Sequence, residues 1–162
     1  RVHGLSAGDC LDLGGGCLKF LGASGHSPRQ LCPYHPDTGT LFTGDEVGVR
    51  MKDTVVPATP PPDFHYQETL RSLETFEELD PERLAFPHYG WCATPREALR
   101  AYREVLGSWV TTVSQFGEKY DTLEEIVDRL VEVGVPHRQI WPDSVARKLI
   151  AVDAAGVLRC EE

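Results

Sequence analysis

The chain is 162 residues long, 41% hydrophobic and 25% charged, with a formal net charge of −9. Such a chain reads as one ordinary globular domain that buries roughly two-thirds of its unfolded surface. The acidic balance disfavours a broad nucleic-acid-binding face, no apolar run approaches the roughly 18 residues of a membrane span, and no signal peptide is visible.

The cysteines are Cys10, Cys17, Cys32, Cys92 and Cys160. An odd count without CxxC spacing argues against a disulfide framework or a zinc ribbon. They read as reduced thiols of a cytoplasmic protein, packed as small hydrophobes. The chain begins at Arg1, and its sole methionine is Met51. That start fits a cleavage product or a piece of something longer.

Strands come first. Residues 10–13 and 17–23 are short β-compatible runs around Gly14-Gly15-Gly16, and residues 30–35 form a third. Pro36-Asp37-Thr38-Gly39 is a turn, because Pro presets φ and Gly accepts positive φ, and residues 40–43 return as the partner strand. Residues 55–62 hold four prolines and read as a linker ending at Asp63, a helix N-cap. Tyr66, Leu70, Leu73, Phe76 and Leu79 recur at helical spacing over 64–79. Residues 84–87 read as a short buried strand.

Three helices follow. Thr94-Pro95-Arg96-Glu97 opens one that runs to about Phe116. Thr122-Leu123-Glu124-Glu125 repeats the capping box, and its helix ends near Gly134. A last helix covers 144–151, and residues 153–162 end in a strand or tail. The order predicts an α/β layered domain with helices on one sheet face. Several strands are apolar on both faces, so the uncovered face needs something against it.

Three residues stand at successive strand ends. His26 follows Gly25, Asp45 follows Gly44, and His88 follows Pro87. A rigid sheet aims such loop residues at one point. Two imidazoles and a carboxylate suit zinc, iron or manganese. Arg29, Arg50 and Lys52 lie near these loops as weaker candidates for a substrate carboxylate or phosphate, and Tyr89 as an oxyanion donor.

Four pieces, in this order and spacing, resemble the C-terminal half of a metallo-β-lactamase-fold hydrolase. They are Leu13-Gly14-Gly15, Gly25-His26-Ser27-Pro28, Gly39-Thr40-Leu41-Phe42-Thr43-Gly44-Asp45 and Pro87-His88-Tyr89-Gly90. Ser24 stands where the family usually has Pro. The resemblance implies half of an αββα sandwich, a mostly antiparallel sheet with helices on one face, over residues 1–93. A helical C-terminal region follows over 94–162. It further implies two divalent metal ions, zinc with iron or manganese as alternatives. His26 would be a ligand of the first, His88 of the second, and Asp45, the catalytic residue, would bridge them. Water activated by the pair would attack an ester, thioester, lactone or similar bond of a small molecule.

The family's His-x-His-x-Asp-His motif is absent: no two of His3, His26, His35, His65, His88 and His137 share that spacing. Two ligands per metal, one of them shared, fall short of the usual three plus water. The expectation is therefore an enzyme completed by its N-terminal half or by another chain, and a poor metal binder alone. The alternative is a non-catalytic truncated relative acting as an interaction or dimerisation module. A lesser one is a mononuclear two-His-one-carboxylate site, or a site shared between two copies. Neither nucleic acid nor a membrane is expected as a partner.

Overall fold

The computed structural model describes residues 3–51, 54–88 and 90–160. Its strands are β1 (Cys10–Asp12), β2 (Cys17–Gly22), β3 (Leu31–His35), β4 (Thr40–Phe42), β5 (Val49–Met51), β6 (Thr54–Val56), β7 (Arg83–Phe86) and β8 (Gly90–Cys92). Its helices are α1 (Tyr66–Leu79), α2 (Pro95–Gly117), α3 (Leu123–Glu132), α4 (His137–Ile140) and α5 (Asp143–Cys160).

The expected hairpin forms at Pro36-Asp37-Thr38, a single 3₁₀ turn that closes on Gly39 at φ 58°. Six strands make one sheet in the order β1-β2-β3-β4-β7-β8, while β5 and β6 pair separately. Every neighbouring pair is antiparallel except β4 and β7. The parallel pair is joined by a crossover that contains α1, as parallel neighbours require.

Alternation along the strands gives the sheet two different faces. Leu41 lies opposite Leu84, and Leu84 opposite Cys92. All three are buried in one cluster with Leu73 and Phe76 of α1 and Leu99, Tyr102 and Leu106 of α2. The other face carries the row Phe42, Ala85, Trp91, which are direct cross-strand neighbours. Trp91 is 65% exposed and Phe42 43% exposed, with the Arg83 guanidinium over the Trp91 ring. The protein is thus a mostly antiparallel sheet with helices on one face, followed by a helical C-terminal region. The open face carries this apolar row beside the polar His35, Thr40 and Arg83.

Several details differ from the sequence reading. Residues 54–56 are a strand and not linker, because Val55 and its neighbours pair with β5 before the prolines begin. The N-cap of α1 is His65 instead of Asp63. Thr94 caps α2 without a side-chain hydrogen bond; its hydroxyl lies 3.5 Å from Cys92 Sγ instead. Thr122 does form the full capping box with Glu125. Residues 153–160 continue α5 as helix. Asp153 and Gly156 are poor helix formers and argue locally for a stop, but both are used in tertiary contacts described below. Gly90–Cys92 adds an edge strand. Cys10 and Cys17 are joined as a disulfide across adjacent strands (Cα–Cα 5.8 Å), whereas Cys32, Cys92 and Cys160 are free. No helix among the described residues is long and apolar enough to cross a membrane.

Candidate metal centre

β2, β4 and β7 run in the same direction, since β3 is antiparallel to both β2 and β4, and β4 is parallel to β7. Their C-terminal ends therefore share one edge of the sheet. The loop after β2 carries His26, the turn after β4 carries Asp45, and the turn after β7 carries His88. One topological fact brings together three residues that lie far apart in the chain.

Local chemistry sets each of them. Thr43 is fully buried, and its N–H donates to Ala85 O at 3.0 Å, tying the end of β4 to the end of β7. Gly44 then turns at φ 52°, and Asp45 enters the first turn of a 3₁₀ segment, Gly44–Val47. Gly25 is required for space: a Cβ there would run into Thr69 Oγ1 and the Thr69 backbone, and the His65 N–H donates to Gly25 O at 2.7 Å. The loop therefore lies directly on the start of α1.

The two carboxylate oxygens of Asp45 face different histidines. Asp45 Oδ2 lies 3.9 Å from His26 Nε2, and Oδ1 lies 3.6 Å from His88 Nε2. Oδ1 is buried without a hydrogen-bond partner among the described residues. Leaving a carboxylate oxygen so placed costs free energy unless a cation or donor satisfies it. His26 Nδ1 is 3.0 Å from Ala58 O. A carbonyl only accepts, so Nδ1 carries the proton and the Nε2 lone pair is left for a metal or a donor.

Glu46 is the functional residue that sequence reasoning missed. It is fully buried, and its carboxylate accepts the Gly25 N–H at 3.0 Å and the His26 N–H at 2.9 Å. It thus clamps the His26 loop to the turn that carries Asp45. Its only signal in the sequence is its place beside Asp45, between Gly44 and Gly48. Nearby, burial pushes the Cys32 thiol up to about 12; the Gln30 amide opposes this and the Glu46 charge adds to it. Tyr102, also buried, is pushed upward by desolvation first and then by the Glu46 and Asp153 carboxylates.

His26, Asp45 and His88 open into a cavity of about 380 Å³ that is also lined by Val49, Pro57, Pro60, Trp141, Leu149 and Val152. The helical region thus supplies an apolar wall to the same cavity. Arg50 lines a separate cavity of about 150 Å³ with Phe86 and Glu97. Arg29 is exposed, at φ 68°. Lys52 and Tyr89 lie outside the described residues. No group of three or more His, Cys, Asp and Glu is placed to hold a metal ion by itself among the described residues. What the chain presents is two Asp45–His pairs sharing one carboxylate.

The family profile for the metallo-beta-lactamase superfamily matches residues 2–88. Among solved structures, the chain is similar to a metallo-beta-lactamase family protein of Thermus thermophilus, at 19% identity and a TM-score of 0.68 over 96% of this chain and 47% of that one. A beta-lactamase domain protein from Burkholderia ambifaria is 20% identical, with a TM-score of 0.71 over 98% of this chain and 46% of that one. An archaeal metallo-beta-lactamase superfamily protein from Sulfolobus tokodaii is 23% identical, with a TM-score of 0.61 over 94% and 50%. The chain spans about half the length of each of these structures. No curated protein matches it. With more than half of its residues inside the family profile and its sheet and helices superposing on these structures, the chain belongs to the metallo-beta-lactamase superfamily.

Proposed function

We propose that the chain is the C-terminal part of a metal-dependent hydrolase, and that His26, Asp45 and His88 form its share of a dinuclear site. One observation carries the reading: the two oxygens of Asp45 face two different imidazole Nε2 atoms, and Oδ1 is buried with no hydrogen-bond partner among the described residues. That is the donor arrangement of a carboxylate shared between two cations. His26 would serve one, His88 the other and Asp45 both. Zinc suits this donor set, and iron or manganese would also fit it. A bound pair of divalent ions supplies a lowered water pKa and neutralises charge growing on an oxyanion.

The chain's own residues do the rest. Ala58 O holds His26 in the Nδ1–H tautomer, and Glu46 fixes the loop that carries it. The apolar residues that line the cavity, among them Pro57 and Val152, favour a small substrate with an apolar group next to the ester, thioester or lactone bond. The remaining ligands would come from an N-terminal half laid on the open face of the sheet. This agrees with the chain's span of about half of the similar structures.

Metal analysis tests the reading. The isolated chain is expected to retain zinc weakly and below stoichiometry after desalting. The chain joined to its upstream half should hold two ions and hydrolyse small esters, and Asp45→Ala should release both ions. Two tightly held ions in the isolated chain, or an Asp45→Ala joined protein that keeps its full metal content, would overturn it.

The open apolar row of Phe42, Ala85 and Trp91 favours a second reading, a non-catalytic module that pairs through its sheet. Light scattering separates the two. A stable, metal-free homodimer supports pairing, whereas a monomer that assembles only with the N-terminal half supports the hydrolase.

A further inference from the structure

Residues 57–60 form a strap between the metal corner and the helical region. On one side, Ala58 O accepts from His26 Nδ1 at 3.0 Å. On the other, α5 and α2 hold the strap directly, and α4 holds it through Asp153. The Asp153 carboxylate of α5 accepts the Thr59 N–H at 2.7 Å, and Thr59 Oγ1 donates to Asp153 O at 2.8 Å. Trp109 Nε1 of α2 donates to Thr59 Oγ1 at 3.1 Å. His137 of α4 binds the second Asp153 oxygen through Nε2 at 3.0 Å, and its ring lies 4.9 Å from that of Trp109, tilted at 45°.

Nearly every partner is buried: Thr59 and His137 fully, Trp109 at 3% and Asp153 at 8% exposure. A Cβ on Gly156 would run into the Thr59 carbonyl, so α5 meets the strap backbone to backbone. A His–Asp pair this deeply buried, with His137 Nδ1 left without a hydrogen-bond partner among the described residues, is expensive for a helix that only covers apolar surface.

The geometry points to a positioning role: Asp153, braced by His137, acts together with Trp109 through Thr59 and Ala58 to set the tautomer and aim of His26. The helical region is then part of the metal corner's support and more than a lid over the sheet. If the strap shifts by the length of a hydrogen bond, Ala58 O no longer faces Nδ1. The neutral imidazole is then free to move its proton to Nε2, the atom that faces Asp45. This inference rests on the reading of His26 as a ligand.

The test reads the ring nitrogens of His26 directly, in the 162-residue chain and without metal. Long-range ¹H–¹⁵N correlation at alkaline pH gives the tautomer ratio, and His26→Gln assigns the signals. Wild type should show the Nδ1–H form. Asp153→Ala should raise the Nε2–H share about fivefold, the worth of one lost hydrogen bond. Asp153→Asn keeps an oxygen for the Thr59 N–H and should restore the wild-type ratio. Trp109→Phe should shift it in the same direction by less, and it serves should Asp153→Ala fail to fold. His35, remote on the sheet, is the control for general loosening. Wild-type His26 in the Nε2–H form, or folded Asp153→Ala and Trp109→Phe proteins with an unchanged ratio, would overturn the role. Because no metal is present, such a result leaves the hydrolase reading standing. Conversely, a shifted ratio in a chain whose joined form takes no metal would sink only that reading.

Discussion

Replacing Glu46 probes the clamp that ties the His26 loop to the turn carrying Asp45. The residue is fully buried, and its carboxylate receives two backbone N–H bonds, from Gly25 at 3.0 Å and His26 at 2.9 Å. Glu46→Gln preserves the shape. Its carbonyl keeps one of the two bonds, but its NH₂ group faces the other N–H donor to donor. A hydrogen bond to a charged group is worth about 1.5–3 kcal/mol, and an unpaired buried donor costs about 1–3 kcal/mol more. Against this, removing a buried charge relieves part of its desolvation penalty. The balance is a loss of about 2–3 kcal/mol, a sizeable share of the roughly 5–15 kcal/mol that holds a domain folded. For a chain of this length that lowers Tm by about 4–12 °C. Glu46→Ala should cost about 4 kcal/mol, because both N–H groups lose their partner and a cavity is left.

Urea unfolding followed by circular dichroism measures the global effect, and amide hydrogen exchange at Gly25 and His26 measures the local one. The expected pattern is a lower midpoint at unchanged m-value, with those two amides losing protection ahead of the sheet. A Glu46→Gln protein within about 0.5 kcal/mol of wild type, with unchanged exchange at both amides, would refute the clamp.

Other expectations follow from single contacts. Gly25→Ala drives a methyl into Thr69 and should cost about 2 kcal/mol or more, read by thermal melting; a neutral result would mean that α1 is not seated on the loop. Cys32 keeps its thiol protonated in the fold up to about 12, against 9.0 for its ordinary value. Its contribution to stability is therefore fully present below about pH 9 and fades as pH rises toward 12, with Tyr102 acting in the same sense. Urea midpoints of wild type minus Cys32→Ala across that range check the sign, and a flat difference would contradict it. In the same window native Cys32 should resist alkylation while Cys160 reacts. Phe42→Ser with Trp91→Ser should leave the melting temperature within a few degrees and sharply reduce binding of an apolar dye, since both side chains face outward on the open sheet.

The limits of sequence reading fall in particular places. Strand ends and turns are legible because backbone chemistry advertises them. Pro36 and Gly39 mark a turn, and Gly25 and Gly44 precede the residues that matter. His26, Asp45 and His88 are visible for the same reason. Their meeting point is not: it depends on β2, β4 and β7 running in the same direction, and a linear pattern does not state strand direction. Glu46 is invisible because a buried glutamate looks in sequence like any surface acid, and only the two N–H groups pointing at it reveal its role.

The end of the chain misleads a sequence reading in an informative way. Residues 153–162 read as a strand or tail, and Asp153 and Gly156 are poor helix formers. The helix persists because each misfit residue has a tertiary partner: Asp153 receives Thr59 and His137, and Gly156 admits the Thr59 carbonyl. Such violations of local preference concentrate where a fold holds something in place. Here the two fall on the same strap, and the residue before Thr59 is the hydrogen-bond acceptor of His26. The failure of propensity at positions 153 and 156 and the tautomer of a histidine near the start of the chain are therefore two ends of one structural fact. Asp153→Ala, which removes the acceptor of the Thr59 N–H, should disturb both.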